Sequence, residues 1–405
     1  HRAIQLRIKS TKKGKLRMKF AERVENLPPY LFVGISRAIA KKKDQGIDVI
    51  SFGIGDPDMP TPEPVLEALY AGAKKPANHK YPESEGLPEF RARAAKFYSD
   101  RFGVSLNPET EIINLIGAKE GIAHAALCFI DPGDISISPD PAYPVYEIGT
   151  MFAGGTTHFV TLKEKNGYLI DFSDIPNDVA KKAKTLWINY PNNPTGAIAP
   201  LSFFDEAVKY CKEFDIALLH DAAYTEVTYD GYVAPSVLQA EGAMDIAMEF
   251  HSLSKTANMT GWRVGFAAGN PDMVNALMRV KSNIDSGLSQ ANQEMGMAAL
   301  DLPSEWLDNN NEVYKKRRDK VVSVLNEIGV PAEAPKGALY IWTPIPEGYT
   351  SAEFAQKLLD EADVVVTPGN GYGPGGEGYI RLSLTIPDDQ IDEGLRRLTK
   401  LRVDA

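Results

Sequence analysis

His251-Ser252-Leu253-Ser254-Lys255-Thr256-Ala257-Asn258-Met259-Thr260-Gly261-Trp262-Arg263-Val264-Gly265 is the stretch that decides the reading of this chain. A short apolar run of strand length precedes it (248–251), and another begins at its end (264–268). Lys255 lies between them, set among hydroxyls, and Arg263 follows in the same loop. Two serines, a guanidinium and small residues make a cup suited to a phosphate dianion, which arginine can bind bidentately. A lysine beside such a cup can form a Schiff base with a carbonyl carried by the phosphate-bearing molecule. The plainer alternative is a surface loop with an ordinary lysine.

Outward from this loop the pattern alternates. Residues 112–115, 135–137, 157–160, 185–189 and 216–220 read as strands, and 119–129, 143–152 and 202–214 as helices. Alternation of this kind predicts right-handed crossovers and an α/β fold, a mostly parallel sheet sandwiched by helices. Ligands of such sheets sit at the carboxyl ends of the strands. Toward the N-terminus, helices are expected at 32–45, 64–73 and 88–102, with a strand at 49–52. Beyond a polar boundary at 300–310, a long charged helix (305–329) leads to strands at 338–342, 364–367 and 379–384. Helices at 351–361 and 388–401 complete a smaller α/β unit. The expected layout is a leader over 1–17, an arm and helix over 18–50 joining the small domain, a large domain over 51–300, and a small domain over 301–405.

The 405 residues are enough for a large core. Two cysteines, Cys128 and Cys211, exclude a disulfide scaffold and a four-cysteine zinc site, and read as inert core thiols. No metal is expected. No apolar run approaches the roughly 20 residues that span a bilayer. The net charge of −10 argues against a general nucleic-acid binder. Residues 1–17 carry seven Lys/Arg and no acid, and read as a leader before a start at Met18. No secretory apolar region is visible, so the cytoplasm is the default.

Five further segments carry chemistry. Asp221 ends an apolar strand, where a buried carboxylate needs a cation such as a protonated pyridine nitrogen, and Tyr224 follows three residues later. A helix N-cap aspartate is the alternative. In Tyr190-Pro191-Asn192-Asn193-Pro194-Thr195-Gly196, Asn193 can donate to a ligand oxygen, or the segment is a bare turn. Gly117-Ala118-Lys119 forms a strand-to-helix turn whose N–H groups suit a phosphate. Tyr143, held between prolines, can stack on a flat ring. Arg381 interrupts an apolar strand, and its guanidinium needs an anion: a substrate α-carboxylate, or a structural carboxylate.

With Lys255 these features occur in one order on one topology. In combination, Asn193-Pro194-Thr195-Gly196, Asp221 with Tyr224, and Ser252-Leu253-Ser254-Lys255 with Arg263 are specific, and the chain resembles the fold-type I, pyridoxal-phosphate-dependent aminotransferases of class I/II from about Pro28 to its C-terminus. The resemblance implies pyridoxal 5'-phosphate as cofactor, bound covalently to Lys255. It implies that Asp221 pairs with the pyridine nitrogen, that Asn193 and Tyr224 bond the ring oxygen, and that Tyr143 stacks on the ring. Ser252, Ser254, Arg263 and the backbone of Gly117, Ala118 and Lys119 would hold the phosphate. Arg381, aided by the backbone near Gly55, would bind the substrate α-carboxylate. Tyr81 matches a tyrosine that reaches the neighbouring subunit's phosphate, which implies a homodimer with shared sites. Lys255 would move the α-proton in a ping-pong transamination between an L-amino acid and a 2-oxo acid.

One branch is closer than the others, the LL-diaminopimelate aminotransferases of lysine biosynthesis. The likeness is carried by Leu27-Pro28-Pro29-Tyr30-Leu31-Phe32, Gly53-Ile54-Gly55-Asp56-Pro57 and Asn258-Met259-Thr260-Gly261-Trp262-Arg263. There Tyr30 would reach the partner's site, Lys119 would meet a distal carboxylate, and Glu83 or Glu85 would attract the distal ammonium. Two departures stand out: Ala257 replaces a larger residue, and Ser84 replaces an acid. Ser282, not an arginine, falls nearest the place where aspartate-specific relatives hold the distal carboxylate. Alanine, aspartate or aromatic aminotransferases and a cofactor-dependent C–S lyase remain as alternatives. A regulator with an aminotransferase-like domain would need a longer N-terminal DNA-binding segment, and a binding-only pseudoenzyme would not keep the lysine and its ring partners.

Overall fold

The computed structural model describes residues 18–28 and 31–401. The leader over 1–17 and the role expected of Tyr30 lie outside the described residues. The strands, in chain order, are β1 (Ile50–Ser51), β2 (Ile112–Leu115), β3 (Ile135–Asp140), β4 (Thr156–Thr161), β5 (Ala183–Ile188) and β6 (Ala217–Asp221). They continue with β7 (Ala247–Ser252), β8 (Gly265–Gly269), β9 (Tyr340–Pro344), β10 (Val364–Val365), β11 (Thr367–Pro368) and β12 (Tyr379–Ser383).

Seven of them form one sheet in the order β2-β8-β7-β6-β5-β3-β4. All its pairings are parallel except those of β8, which runs antiparallel to β7 and β2. Strand alternation divides the side chains between two cores. Leu186, Ile188 and Leu218 face Phe204 and Val208 of the helix Leu201–Phe214. Trp187, Leu219, Met248 and Phe250 face Ile122 and Ala125 of the helix Ala118–Phe129 and Leu277 of the helix Pro271–Ile284. Burial on both faces explains why these strands read as apolar runs. The reversal at β8 has a local cause. Parallel neighbours need a crossover, whereas β7 returns through the short helix Leu253–Thr256 and the turn Thr260–Trp262, with no layer of helix between. That return is the Lys255 loop, which caps the carboxyl end of β7.

The smaller unit holds an antiparallel sheet in the order β11-β12-β9. β1 pairs in parallel with β10, and Lys42 at the end of the helix Leu31–Lys43 meets Asp363 at 2.8 Å. The single strand expected over 364–367 is two strands in different sheets. Two helices, Pro271–Ile284 and Gln290–Leu300, were not anticipated. The first carries a clear start, with Asn270 capping Asp272 and Met273 N–H and Pro271 in the first turn. The second is rich in Gln, Asn and small residues, so its amphipathicity is weak, and tertiary packing settles it. Its Gly296 admits Phe90 and Val264, which a Cβ would meet at 2.9 Å.

Candidate active site

At the carboxyl ends of the central strands lies a cavity of about 560 Å³. Strand β6 delivers Asp221 to its floor. Asp221 Oδ2 accepts from the Tyr146 hydroxyl at 2.8 Å, and Tyr146 stacks on Trp187 at 4.8 Å between ring centres. Asp221 Oδ1 is buried and has no hydrogen bond among the described residues. Burial raises the carboxyl's pKa, opposed first by the Tyr146 hydroxyl and then by His220, the Ala223 N–H and His251. A buried carboxylate oxygen left open in this way calls for a cationic donor.

The Ser252 hydroxyl caps the helix Leu253–Thr256 by accepting from Ser254 N–H at 3.3 Å. This cap aims Lys255 into the cavity, where its ammonium donates to the Gly55 carbonyl. Beside it Arg263, in the left-handed region at φ 58°, donates to Ser254 Oγ at 3.4 Å and to the Thr260 carbonyl at 2.8 Å. Gly117, at φ 73°, precedes the helix Ala118–Phe129, and a Cβ there would lie 2.4 Å from Arg263 Nη2. Only glycine leaves this corner open. Ser252, Ser254, Arg263 and the start of that helix therefore surround one end of the cavity. Tyr143 lines its side, with Lys119 Nζ 5.7 Å from the Tyr143 ring centre.

The opposite end is polar. Arg381, buried in β12, donates to Asn193 Oδ1 at 2.9 Å and to the Gly53 carbonyl at 2.9 Å. Its guanidinium lies 4.0 Å from the ring centre of Tyr340 and 4.9 Å from that of Tyr372. Tyr224 and Tyr340 share a hydrogen bond of 2.7 Å, and burial pushes the Tyr224 phenol well up. Asn193 and Tyr224, expected to serve one ring oxygen, thus face Arg381 and Tyr340 here while still lining the cavity.

Several singled-out residues lie elsewhere. Tyr81 is 86% exposed, and Tyr81, Glu83, Ser84 and Glu85 all lie off the cavity wall. Ala257 is fully buried in the large core, so its small side chain does not shape the cavity wall. Ser282 is exposed and bonds the Arg279 carbonyl. Sequence reading missed Tyr146 and Tyr340. Tyr146 stands three residues after Tyr143, in the first turn of the helix Val145–Ala153, and that nearness was a usable signal. Tyr340 is one aromatic in an apolar strand and carried none. A larger groove of about 910 Å³ lies along the helices Pro88–Phe102 and Ser304–Glu327, and its charges are matched in pairs such as Arg101–Glu226 and Lys315–Asp230. It brings no such set of reactive groups together.

The donor set fits pyridoxal phosphate. The open Asp221 oxygen suits a pyridinium N–H, the corner kept open by Gly117 suits a phosphate, and the Lys255 amine enters the same cavity.

The family model described as aminotransferase class I and II matches residues 47–398. An LL-diaminopimelate aminotransferase of Dehalococcoides mccartyi is 55% identical, over 96% of this chain and all of its own length. One from Moorella thermoacetica is 53% identical, over 95% of this chain and 98% of its own. Among solved structures, substrate-bound BacF from Bacillus subtilis superposes with a TM-score of 0.91 at 35% identity, over 96% of this chain and 98% of its own. The chain belongs to the class I and II aminotransferase family, pyridoxal-phosphate-dependent enzymes of fold type I.

Proposed function

We propose that this aminotransferase acts on LL-diaminopimelate, passing its amino group to 2-oxoglutarate to give tetrahydrodipicolinate and glutamate. The observation that carries the transfer chemistry is the convergence of Lys255, the open Asp221 oxygen and Arg381 on one cavity. The narrower substrate rests on relatives of that name, above 50% identical over nearly their whole lengths.

In this reading Lys255 holds the cofactor covalently. Its amine would also be the base that takes the proton from the substrate α-carbon and the acid that gives it back. Bound pyridoxal phosphate supplies the sink for the electron pair left on that carbon. Asp221 keeps the ring nitrogen protonated, and Tyr146 keeps Asp221 oriented. Asn193 and Tyr224 would serve the ring oxygen. Tyr143 stacks on the ring. Ser252, Ser254, Arg263 and the backbone at Gly117, Ala118 and Lys119 hold the phosphate. Arg381 would offer its fork to the α-carboxylate, aided by the backbone near Gly55, and Lys119 would meet the distal carboxylate.

The reading includes a cytoplasmic homodimer in which Tyr81 and Tyr30 enter the partner's site and Glu83 or Glu85 meets the distal ammonium. The high exposure of Tyr81 supports its acting outside its own protomer. Among the described residues no helix is long and apolar enough to cross a membrane. The domains are a large cofactor-binding one over 51–300 and a small one over 301–405 joined by 18–50, which the pairing of β1 with β10 supports. A single-turnover panel tests the substrate. Cofactor-loaded protein is mixed with individual amino acids and loss of the cofactor absorbance is followed. LL-diaminopimelate reacting faster than alanine or aspartate is the expected result, and equal rates would overturn the narrow assignment.

A further inference from the structure

Glu120 lies in the first turn of the helix whose start faces the cavity, yet it does not line that cavity. A carboxylate so placed could fold onto its own helix's first N–H groups and repel an anion bound there. Its surroundings hold it elsewhere. Glu120 Oε2 accepts from the Ile116 N–H at 3.0 Å and from Lys281 Nζ at 2.9 Å, and Oε1 meets His124 Nδ1 at 2.6 Å. Lys281 is fully buried and also reaches Asp285 at 3.2 Å. Glu120, His124 and Asp285 offer ligand atoms within 4.8 Å of one another, and the Lys281 ammonium bonds both carboxylates of that group.

The consequence falls on the neighbouring turn. Ile116 and Gly117 lead directly into Ala118 and Lys119, and Gly117 touches the space of Arg263. Holding the Ile116 N–H restrains the entry to the turn whose N–H groups follow. Burial pushes the Glu120 carboxyl's pKa up, but His124, Lys281 and the Ile116 N–H outweigh it and keep the group below its usual value. The brace is therefore a pinned anion, neutralised from behind by Lys281.

We infer that Glu120, held by Lys281 and His124, is a positioning residue that sets the Gly117–Lys119 turn for the cofactor's phosphate. The inference rests on the reading of this corner as the phosphate cup. It concerns phosphate recognition alone, and this makes it separable from general stability.

The test uses the full-length protein freed of cofactor and titrated with pyridoxal phosphate and with pyridoxal, which lacks the phosphate. Glu120→Ala is expected to lose about tenfold of the preference for pyridoxal phosphate, the size of one charge-linked hydrogen bond, with pyridoxal affinity kept within about twofold. Glu120→Gln retains an acceptor for the Ile116 N–H and should recover most of that preference. Lys281→Met leaves the carboxylate unneutralised and should lower it. Loss of affinity for both ligands alike, or for neither, overturns the role of Glu120. If Glu120→Ala does not fold, the Gln and Met variants decide: equal preference in both and in the unmodified protein overturns it. An unmodified protein with no preference for the phosphorylated ligand would sink the phosphate cup itself, and the brace with it.

Discussion

Tyr146 donates its hydroxyl to Asp221 at 2.8 Å and leaves the second carboxylate oxygen buried and open. One oxygen is thus committed to the protein and the other is reserved. Burial dominates the raised pKa of Asp221, and the Tyr146 bond is the first influence against it.

Tyr146→Phe removes the bond that favours the ionised carboxylate. The Asp221 pKa is already raised, so its charge is lost as pH falls through the folded value. Without Tyr146 that value rises further, and the acid limb of the kcat/KM profile should move to higher pH. At neutral pH the loss should be about tenfold, the effect of one hydrogen bond to a charged group. An unchanged acid limb would contradict this role.

Asp221→Asn removes a buried charge whose second oxygen has no hydrogen bond among the described residues. A carboxyl with a raised folded pKa adds stability below its unfolded pKa, and that contribution is lost as pH rises through the folded pKa. The cofactor-free variant should therefore melt higher at neutral pH, by about 1 °C per kcal/mol for a chain of 405 residues. Turnover should fall by at least about a hundredfold, since asparagine cannot hold the ring nitrogen's positive charge. Thermal melts and steady-state rates on the same preparation check both.

Lys255→Ala should still take up pyridoxal phosphate, through Asp221 and the cup, but reversibly and without turnover. Dialysis followed by absorbance reads the first, and product assay the second. Normal turnover would remove the assignment of Lys255.

Arg381→Lys keeps the charge and loses the fork. The guanidinium is planar between Tyr340 and Tyr372 and bonds Asn193 and Gly53. A lysine cannot match that geometry or bind a carboxylate bidentately. kcat/KM for the amino donor should fall by about a hundredfold, mostly through KM, with cofactor affinity little changed. A loss confined to kcat would point away from carboxylate binding.

The alternation of apolar runs with amphipathic segments determined the α/β sheet, because strand and helix periods are local properties of the chain. The Lys255 loop, Asp221, Asn193, Gly117 and Arg381 were likewise legible, since each breaks a pattern where its charge or freedom has no structural use. The direction of β8, the helix Gln290–Leu300 and the pairings Tyr146–Asp221 and Tyr340–Arg381 were decided only by tertiary structure. Tyr340 is far from Arg381 in sequence, and Tyr146 far from Asp221. Which side chains meet across such spans depends on how the crossovers stack the strands, and no local spacing encodes that. The same reason places Ala257 in the core and Tyr81 at the surface, although both stand in segments that read as parts of one site.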